Sequence, residues 1–135
     1  MIGEKMIIIE PLHKVNGVEF GTNRELVRKI FKGKYKEIKK TPISKNTMDS
    51  YKDYNLYYTE DNQLEAIEVF GKTRVIVNNK QVFPGMVEVI ISSFPQMKPA
   101  DVGFIDMADS MAITVDPDDD RVVESILFGR KNYYD

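Results

Sequence analysis

The sequence contains no cysteine, no tryptophan and only one histidine. The absence of cysteine excludes disulfide bonds, thiolate metal sites and cysteine nucleophiles. Long hydrophobic runs are also missing, and the apolar stretch at residues 6–9 is too short for a signal peptide or a membrane span. We therefore expect a cytoplasmic protein that has no membrane partner.

Chain length and composition favour one folded domain over residues 1–135. Of the 135 residues, 42% are hydrophobic and 30% are charged, as in soluble globular proteins. The 14 isoleucines and 13 valines far outnumber the 5 leucines and 4 alanines, and β-branched residues favour strands. These proportions predict an α+β fold dominated by an antiparallel β-sheet.

The net charge of −2 hides an uneven distribution. Residues 1–48 contain 11 basic and 5 acidic side chains, whereas residues 49–135 contain 8 basic and 16 acidic ones. The first part of the chain therefore carries +6 and the second part −8. Because opposite charges attract, we expect the two parts to attract each other.

The clearest helix signal begins at Thr22. Thr22 is a good N-cap, and Glu25 three residues later completes a capping box. Gly33 is suited to end the helix, because glycine adopts the left-handed conformation found there. The apolar residues that follow the cap at helical spacing are Leu26, Val27, Ile30 and Phe31.

Two hairpins are predicted after this helix. Residues 55–59 and 64–70 are rich in strand formers and are separated by the turn sequence Glu-Asp-Asn. Residues 74–77 and 81–83 flank an Asn-Asn turn in the same way. The polar stretch 41–54 has no clear period, and we interpret it as a long loop.

Residues 86–94 fit either a strand or a helix, because they are β-branched but also place apolar residues on one helical face. Comparison within the chain favours the helix, since the apolar spacing after Gly85 matches that after Gly21. The sequence therefore predicts two copies of a helix-plus-hairpin unit, at 18–70 and 84–129, with both short helices on one face of the sheet. Any two such segments of an α+β protein also look alike, so a chance likeness stays open.

The densest basic segment is 28–40, which holds seven basic residues with aromatic residues between them. Lysines neutralise phosphates and aromatic rings stack on bases, so this segment offers a nucleic-acid interpretation. The alternative is a solvated helix face whose cations suit the helix C-terminus. The acidic overall charge favours the alternative.

The acidic segment 116–120 suggests calcium binding, but its spacing is not that of an EF-hand. Arg121 stands where that loop needs glycine, and Leu127 stands where it needs glutamate. A solvated hairpin turn fits better. His13 has no serine or cysteine partner in a recognisable motif, so we predict no catalytic residue, no metal site and no cofactor.

Tyrosine clusters point to recognition, because tyrosine buries a large area and keeps a polar group. We expect the loops 41–54 and 95–110 to present anchors to a protein partner, with acidic residues steering a basic one. The candidate partner-binding residues are Tyr51, Tyr54, Phe104, Asp118 and Asp120.

Several short motifs carry a resemblance to known proteins. They are FGTNRELVRKIF at 20–31, Tyr-Tyr at 57–58, Asp-Asn at 61–62 and Leu-Glu-Ala-Ile-Glu at 64–68. Their order resembles the helix-and-sheet module of β-lactamase-inhibitor-like proteins, which repeat it in tandem. The ending Ile-Leu-Phe-Gly at 126–129 with Tyr-Tyr at 133–134 resembles a group of small bacterial cytosolic proteins.

Proteins of this size and composition are often immunity proteins that neutralise a toxin domain. The resemblance therefore implies a non-enzymatic protein that occludes a protein partner, with an immunity or inhibitor role. Two alternatives stay open. One is a small enzyme with a carboxylate or tyrosine site, and the other is nucleic-acid binding through 28–40.

Overall fold

A computed structural model of the chain describes residues 6–134. Within them the chain forms two helices and thirteen strands, most of them short. In chain order the elements are β1 Met6–Glu10, β2 Lys14–Val15, β3 Val18–Glu19, α1 Arg24–Ile30, β4 Lys36–Ile38, β5 Met48–Ser50, β6 Tyr54–Tyr58, β7 Leu64–Phe70, β8 Arg74–Val77, β9 Lys80–Phe83, α2 Val87–Ser93, β10 Lys98–Ala100, β11 Gly103–Asp106, β12 Met111–Asp116 and β13 Asp119–Gly129.

The strands form two sheets. The smaller sheet has the order β3-β2-β1-β8-β9, in which β1 and β8 are parallel and the other pairs are antiparallel. The larger sheet has the order β10-β11-β12-β13-β7-β6-β5-β4, and all its pairs are antiparallel. The fold is therefore mainly β with two helices.

The prediction of one sheet is wrong. Both β1 and β8 bury alternate residues in the shared core, so the smaller sheet packs one face against that core. The predicted hairpin at 74–83 forms, but its first strand pairs with β1, so the hairpin joins the smaller sheet. Asn78 and Asn79 both have positive φ, as the two-residue hairpin turn requires.

Both helices and both sheets contribute to one buried core. Its members include Val27 and Phe31 from the first helix and its cap, Ile90 from the second helix, and Phe128 from β13. A smaller cluster lies apart from this core and contains Met48, Tyr57, Ala66 and Leu127. The tyrosines of the C-terminal tail, Tyr133 and Tyr134, pack against the smaller cluster.

Helix α1 is confirmed, but its cap and its buried face differ from the prediction. Asn23 is the N-cap, and its Oδ1 accepts a hydrogen bond from the Glu25 amide at 2.9 Å. Leu26 and Ile30 are exposed, whereas Arg24 and Val27 are buried. The helix is rotated from the predicted face because the Arg24 guanidinium finds an ionic partner in the interior.

Helix α2 is also confirmed, at Val87–Ser93. Its β-branched residues are tolerated because Val87 and Ile90 are buried in the core, and tertiary packing outweighs helix propensity.

The two predicted loops contain strands instead. The stretch 41–54 includes β5 and the first residue of β6, and the stretch 95–110 includes β10 and β11. Edge strands β4 and β10 expose every residue, so they lack the alternation of apolar and polar residues by which strands are predicted.

Each helix is followed by four strands that pair in sequence order. We call α1 with β4–β7 unit 1, and α2 with β10–β13 unit 2. The last strands of the two units, β7 and β13, pair at the centre of the larger sheet. Corresponding contacts recur in both units. Isolated β-bridges join Asn23 to Gln63 in unit 1 and Met86 to Val122 in unit 2, and backbone amides donate hydrogen bonds from Leu64 to the Thr22 carbonyl and from Val123 to the Gly85 carbonyl. Register shifts also occur in both units, at Tyr57/Tyr58 and at Thr114/Val115.

Candidate functional site

An open groove lies between helix α2 and the start of strand β13. We call it the α2 groove, and its volume is about 430 Å³. Its lining residues are Met86, Val87, Glu88, Ile91, Asp120 and Arg121. The amide of Val123 donates to the Gly85 carbonyl at 3.1 Å, which fixes the helix start against the strand.

The α2 groove combines an apolar floor with an acidic rim. Met86 is 43% exposed and lies at the mouth of the groove with Val87 and Ile91 behind it. Glu88 and Asp120 are exposed and, within residues 6–134, have no ion pair. Arg121 is neutralised by Asp119, to which it donates two hydrogen bonds of 2.9 and 3.0 Å. The groove therefore carries negative charge.

Unit 1 has a groove at the corresponding place, which we call the α1 groove. Its lining residues are Asn23, Arg24, Glu25, Arg28, Glu37, Asn46, Thr47 and Asn62. The two N-caps, Asn23 and Met86, stand 63 residues apart, since 86 − 23 = 63. The same shift matches Arg24 with Val87 and Arg28 with Ile91, so polar residues of the α1 groove correspond to apolar residues of the α2 groove.

A buried ionic network lies under the α1 groove. Arg24 donates to Asp49 Oδ1 at 2.7 Å, and Arg28 donates to both Asp49 oxygens at 2.8 and 2.9 Å. The Tyr58 hydroxyl donates to the same carboxylate at 3.1 Å, and its ring lies 4.3 Å from the Arg24 guanidinium carbon. Arg28 also binds Glu37 at 2.7 Å. The network ties α1 to β4, β5 and β6.

Charge balance in the network keeps its groups ionised. Burial alone would raise the pKa of Asp49, but hydrogen bonds from Arg28 and Arg24 lower it below the ordinary value. The hydrogen bond from Arg28 lowers the pKa of Glu37 as well. The bond to Asp49 raises the pKa of Arg28, although burial opposes this change. Asp49 is therefore an ionised, fully engaged carboxylate and is not available as a general acid or base.

The chain's own link between β4 and β5 forms one wall of the α1 groove. The link between β4 and β5 spans nine residues, 39–47, and its Asn46 and Thr47 accept hydrogen bonds from Arg24 at 3.3 and 3.0 Å. The link between β10 and β11 spans only residues 101 and 102. Unit 2 therefore has no comparable segment beside the α2 groove.

The structure places Tyr51 and Tyr54 inside the protein. They are 7% and 9% exposed, their rings stack at 4.8 Å, and the Tyr51 hydroxyl donates to the Phe31 carbonyl. Burial raises the pKa of each to about 12. The prediction that they stand in an exposed loop is wrong, because β5 and β6 bring them into the core. Tyr51 also lines a surface pocket beside Tyr35, and a role of either tyrosine in partner binding stays a prediction.

The other predicted partner-binding residues lie at one end of the larger sheet. Phe104 is partly buried and packs against the core from β11. Asp118 and Asp120 are exposed at the β12–β13 turn, and Asp120 lines the α2 groove. Their role in partner binding stays a prediction. Sequence reasoning missed Met86 and Ile91, although the absence of a polar N-cap at residue 86 is a signal that marks them.

The basic segment 28–40 does not form a stacking surface around Phe31. Phe31 is 5% exposed in the core, whereas residues 32–40 are all exposed. Tyr35 lies 4.6 Å from the Arg28 guanidinium carbon and packs against Tyr51 at 5.6 Å. The exposed lysines contribute positive charge, but the buried Phe31 cannot stack on a base. Nucleic-acid binding through this segment stays a prediction.

A second carboxylate cluster lies at the turn between β11 and β12. Asp106 is fully buried, and its Oδ1 accepts a hydrogen bond from the Asp109 amide at 3.1 Å. Its Oδ2 has no hydrogen-bond partner within the described residues. Burial raises the pKa of Asp109, and the hydrogen bond and charge of Asp106 raise it further.

This cluster predicts a stabilising substitution. A carboxyl group with a raised folded-state pKa binds more protons when folded, so its contribution to stability falls as pH rises through that pKa. We expect Asp109→Asn to raise the midpoint of thermal unfolding at pH 7 and to leave it unchanged at pH 3, as measured by circular dichroism. Asp101→Asn, at an exposed position, is the control and should change neither midpoint. An unchanged or lower midpoint for Asp109→Asn at pH 7 contradicts the argument.

No protein-family model matches the chain, and neither does a curated protein or a solved structure. Among residues 6–134, no helix is long and apolar enough to cross a membrane. In the same part of the chain, no group of three or more histidine, aspartate and glutamate side chains is placed to hold a metal ion.

Proposed function

We propose that this protein is a non-enzymatic, cytoplasmic binding protein of the immunity or inhibitor type, which occludes a protein partner. One observation carries the proposal: corresponding grooves occur in both units, and the link 39–47 lines the first through Asn46 and Thr47, whereas the second has no such link beside it. The place that the chain's own link takes in unit 1 is therefore free for a partner's segment in unit 2. We place the partner's segment in the α2 groove.

The charges of the α2 groove define the partner's chemistry. Glu88 and Asp120 in the groove and Asp118 in the turn beside it favour a basic segment, and the exposed Met86 favours an apolar side chain beside its cations. Long-range attraction of this kind raises the association rate and falls with salt. The partner we propose is a basic toxin domain whose working surface is blocked when the groove is filled.

The matching contacts of the two units support an origin by duplication. Residue 68 pairs with residue 127 at the centre of the larger sheet, and 127 − 68 = 59. The same difference separates the bridge residues Gln63 and Val122, since 122 − 63 = 59. A pseudo-twofold axis through the central pair would produce this arrangement. We propose that duplication created two grooves and that the second was freed for a partner.

The test compares wild-type protein with groove variants. Met86→Asn places the N-cap of α1 at the start of α2, so the helix keeps a good cap while the groove loses its largest apolar side chain. Asp118→Lys with Asp120→Lys reverses the charge of Asp120 in the rim and of Asp118 in the adjacent turn. We expect the wild type to bind and inhibit a basic toxin domain encoded beside it in the native host, and both variants to lose this inhibition.

The control is Val102→Asp, because Val102 is 66% exposed and does not line the groove. This variant should inhibit the toxin as well as the wild type does. Equal inhibition by the wild type and by both groove variants contradicts the placement of the site. Growth inhibition by the toxin that co-expression of the wild type does not relieve contradicts the function itself.

A further inference from the structure

Residue Ile43 is the most exposed large apolar side chain of the described residues. It is 89% exposed, in the link that forms one wall of the α1 groove. Single exposed apolar residues are common, but Ile43 stands at the tip of an ordered turn. The Ser44 amide donates to the Thr41 carbonyl at 3.1 Å, and the Thr41 amide donates to Ser44 Oγ at 3.0 Å. We call residues 41–44 the Ile43 turn.

The Ile43 turn is pre-organised. Pro42 occupies the second position of the turn, where its fixed φ is favourable, and the hydrogen bonds hold the ends together. After the turn, Asn46 and Thr47 accept hydrogen bonds from Arg24, which fixes this end of the link to helix α1. A segment held in one conformation loses little entropy on binding, so even a small apolar contact contributes to affinity.

The surroundings of the turn are basic. The link 39–47 contains Lys39, Lys40 and Lys45 and has no acidic residue. Lys45 lies 3.5 Å from Glu60, and Lys40 lies 4.9 Å from the centre of the Tyr57 ring. Within residues 6–134, Lys39 has no ion pair. The turn therefore presents one isoleucine among positive charges.

This is the chemistry that the α2 groove selects, an apolar side chain flanked by cations. The turn does not occupy the groove of its own chain, since Ile43 is almost fully exposed and the groove is open. The attraction between the basic and acidic parts of the chain is therefore available to a second molecule. Opposite charges on two surfaces of one protein steer copies toward each other.

We propose that the Ile43 turn of one copy docks in the α2 groove of a second copy. The inference rests on the proposed function, because it takes the α2 groove as a docking site. Each copy carries both the turn and the groove, so two copies exchange turns in a closed, twofold-symmetric dimer. The contact is small, and small interfaces give weak, reversible association. A toxin partner then displaces the second copy from the groove.

Sedimentation velocity at roughly 5 to 200 µM tests this proposal, because micromolar dissociation constants are measured in that range. We expect the wild type to dimerise. Ile43→Asp and Met86→Asn should each raise the dissociation constant by about 10- to 100-fold, the loss expected for one buried aliphatic contact. Ile43→Leu and Val102→Asp are the controls and should dimerise as the wild type does. Circular dichroism verifies that every variant is folded.

A charge-swap experiment identifies the two surfaces. One variant carries Lys39→Glu and Lys40→Glu, so both its turn and its groove are acidic. The other carries Asp118→Lys and Asp120→Lys, so both surfaces are basic. Each alone should be monomeric, and an equimolar mixture should form a heterodimer because both turns then meet grooves of opposite charge. A mixture that stays monomeric overturns the proposed docking.

The outcomes also separate this inference from the proposed function. If the wild type is monomeric throughout the concentration range, the proposed dimer is overturned. In that case, loss of toxin inhibition in Met86→Asn still supports the α2 groove as the binding site for the toxin. Ile43→Asp should inhibit the toxin as well as the wild type does, because its groove is intact. A dimer that persists in both Ile43→Asp and Met86→Asn also overturns the inference, since its interface then lies elsewhere.

Discussion

Replacing Asp49 with alanine should lower the free energy of unfolding by about 3–5 kcal/mol, the usual cost of removing one partner of a buried ion pair. Asp49 is fully buried and receives hydrogen bonds from Arg24, Arg28 and Tyr58. Its removal leaves Arg24 in the interior with an uncompensated charge. Since small proteins are stable by only about 5–15 kcal/mol, urea denaturation should show the loss clearly.

The chain offers its own control for this prediction. Asp49 faces Leu56, which pairs with Ile67, and in unit 2 the corresponding series is Phe104, Ile113 and Ile126. Unit 2 therefore fills the place of the network with Val87, Ile91 and Phe104.

The triple variant Arg24→Val, Arg28→Ile, Asp49→Phe should cost less stability than Asp49→Ala alone. It removes both signs of charge together, and apolar replacement of buried ion pairs is often neutral or stabilising. A triple variant less stable than Asp49→Ala shows that the network is required for stability in unit 1. A smaller loss of stability in the triple variant indicates that the main role of the network in unit 1 is to hold the link 39–47 in position.

Replacing Phe128 with alanine should also cost about 3–5 kcal/mol. Phe128 is fully buried in β13, next to the centre of the larger sheet, where it pairs with Ile67 and Met111. A cavity here is enclosed by the core that both sheets and both helices share, so the surroundings cannot collapse into it. Urea denaturation of the variant measures the loss.

The matched control is Phe104→Ala. Phe104 is a partly exposed phenylalanine in β11, near the edge of the same sheet. Its replacement should cost less than half as much, because solvent and the edge strand accommodate the change. Equal losses at the two positions contradict the assignment of the core. If Phe104→Ala also weakens toxin inhibition, Phe104 is a contact with the partner.

Secondary structure followed from the sequence where local chemistry is strong. The asparagine turn at 78–79 predicted the hairpin, and the apolar spacing predicted helix α1. The matching spacing after Gly85 predicted helix α2 against its β-branched composition. Strands β4 and β10 expose all their residues, so alternation could not identify them, and β10 was missed.

The candidate site was predictable only in part. Asp118 and Asp120 are exposed in an acidic turn, as their sequence indicates. Tyr51 and Tyr54 are buried because β5 and β6 bring their rings together and bring Tyr54 against Phe31, and β5 is not evident from local pattern. The sequence alone suggests that Arg24 is a surface residue of a helix. Its burial depends on Asp49, which lies 25 residues later in the chain and accepts its hydrogen bond.

The sequence by itself determined the β-rich composition, the two helices and the separation of charge along the chain. Those properties are local, since each depends on residue type and on neighbours a few positions away. Only the tertiary structure decided that the strands form two sheets, that unit 1 contains a buried ionic network and that a long link lines one groove but not the other. These features depend on contacts between distant residues, and many pairings of short strands satisfy the same local pattern.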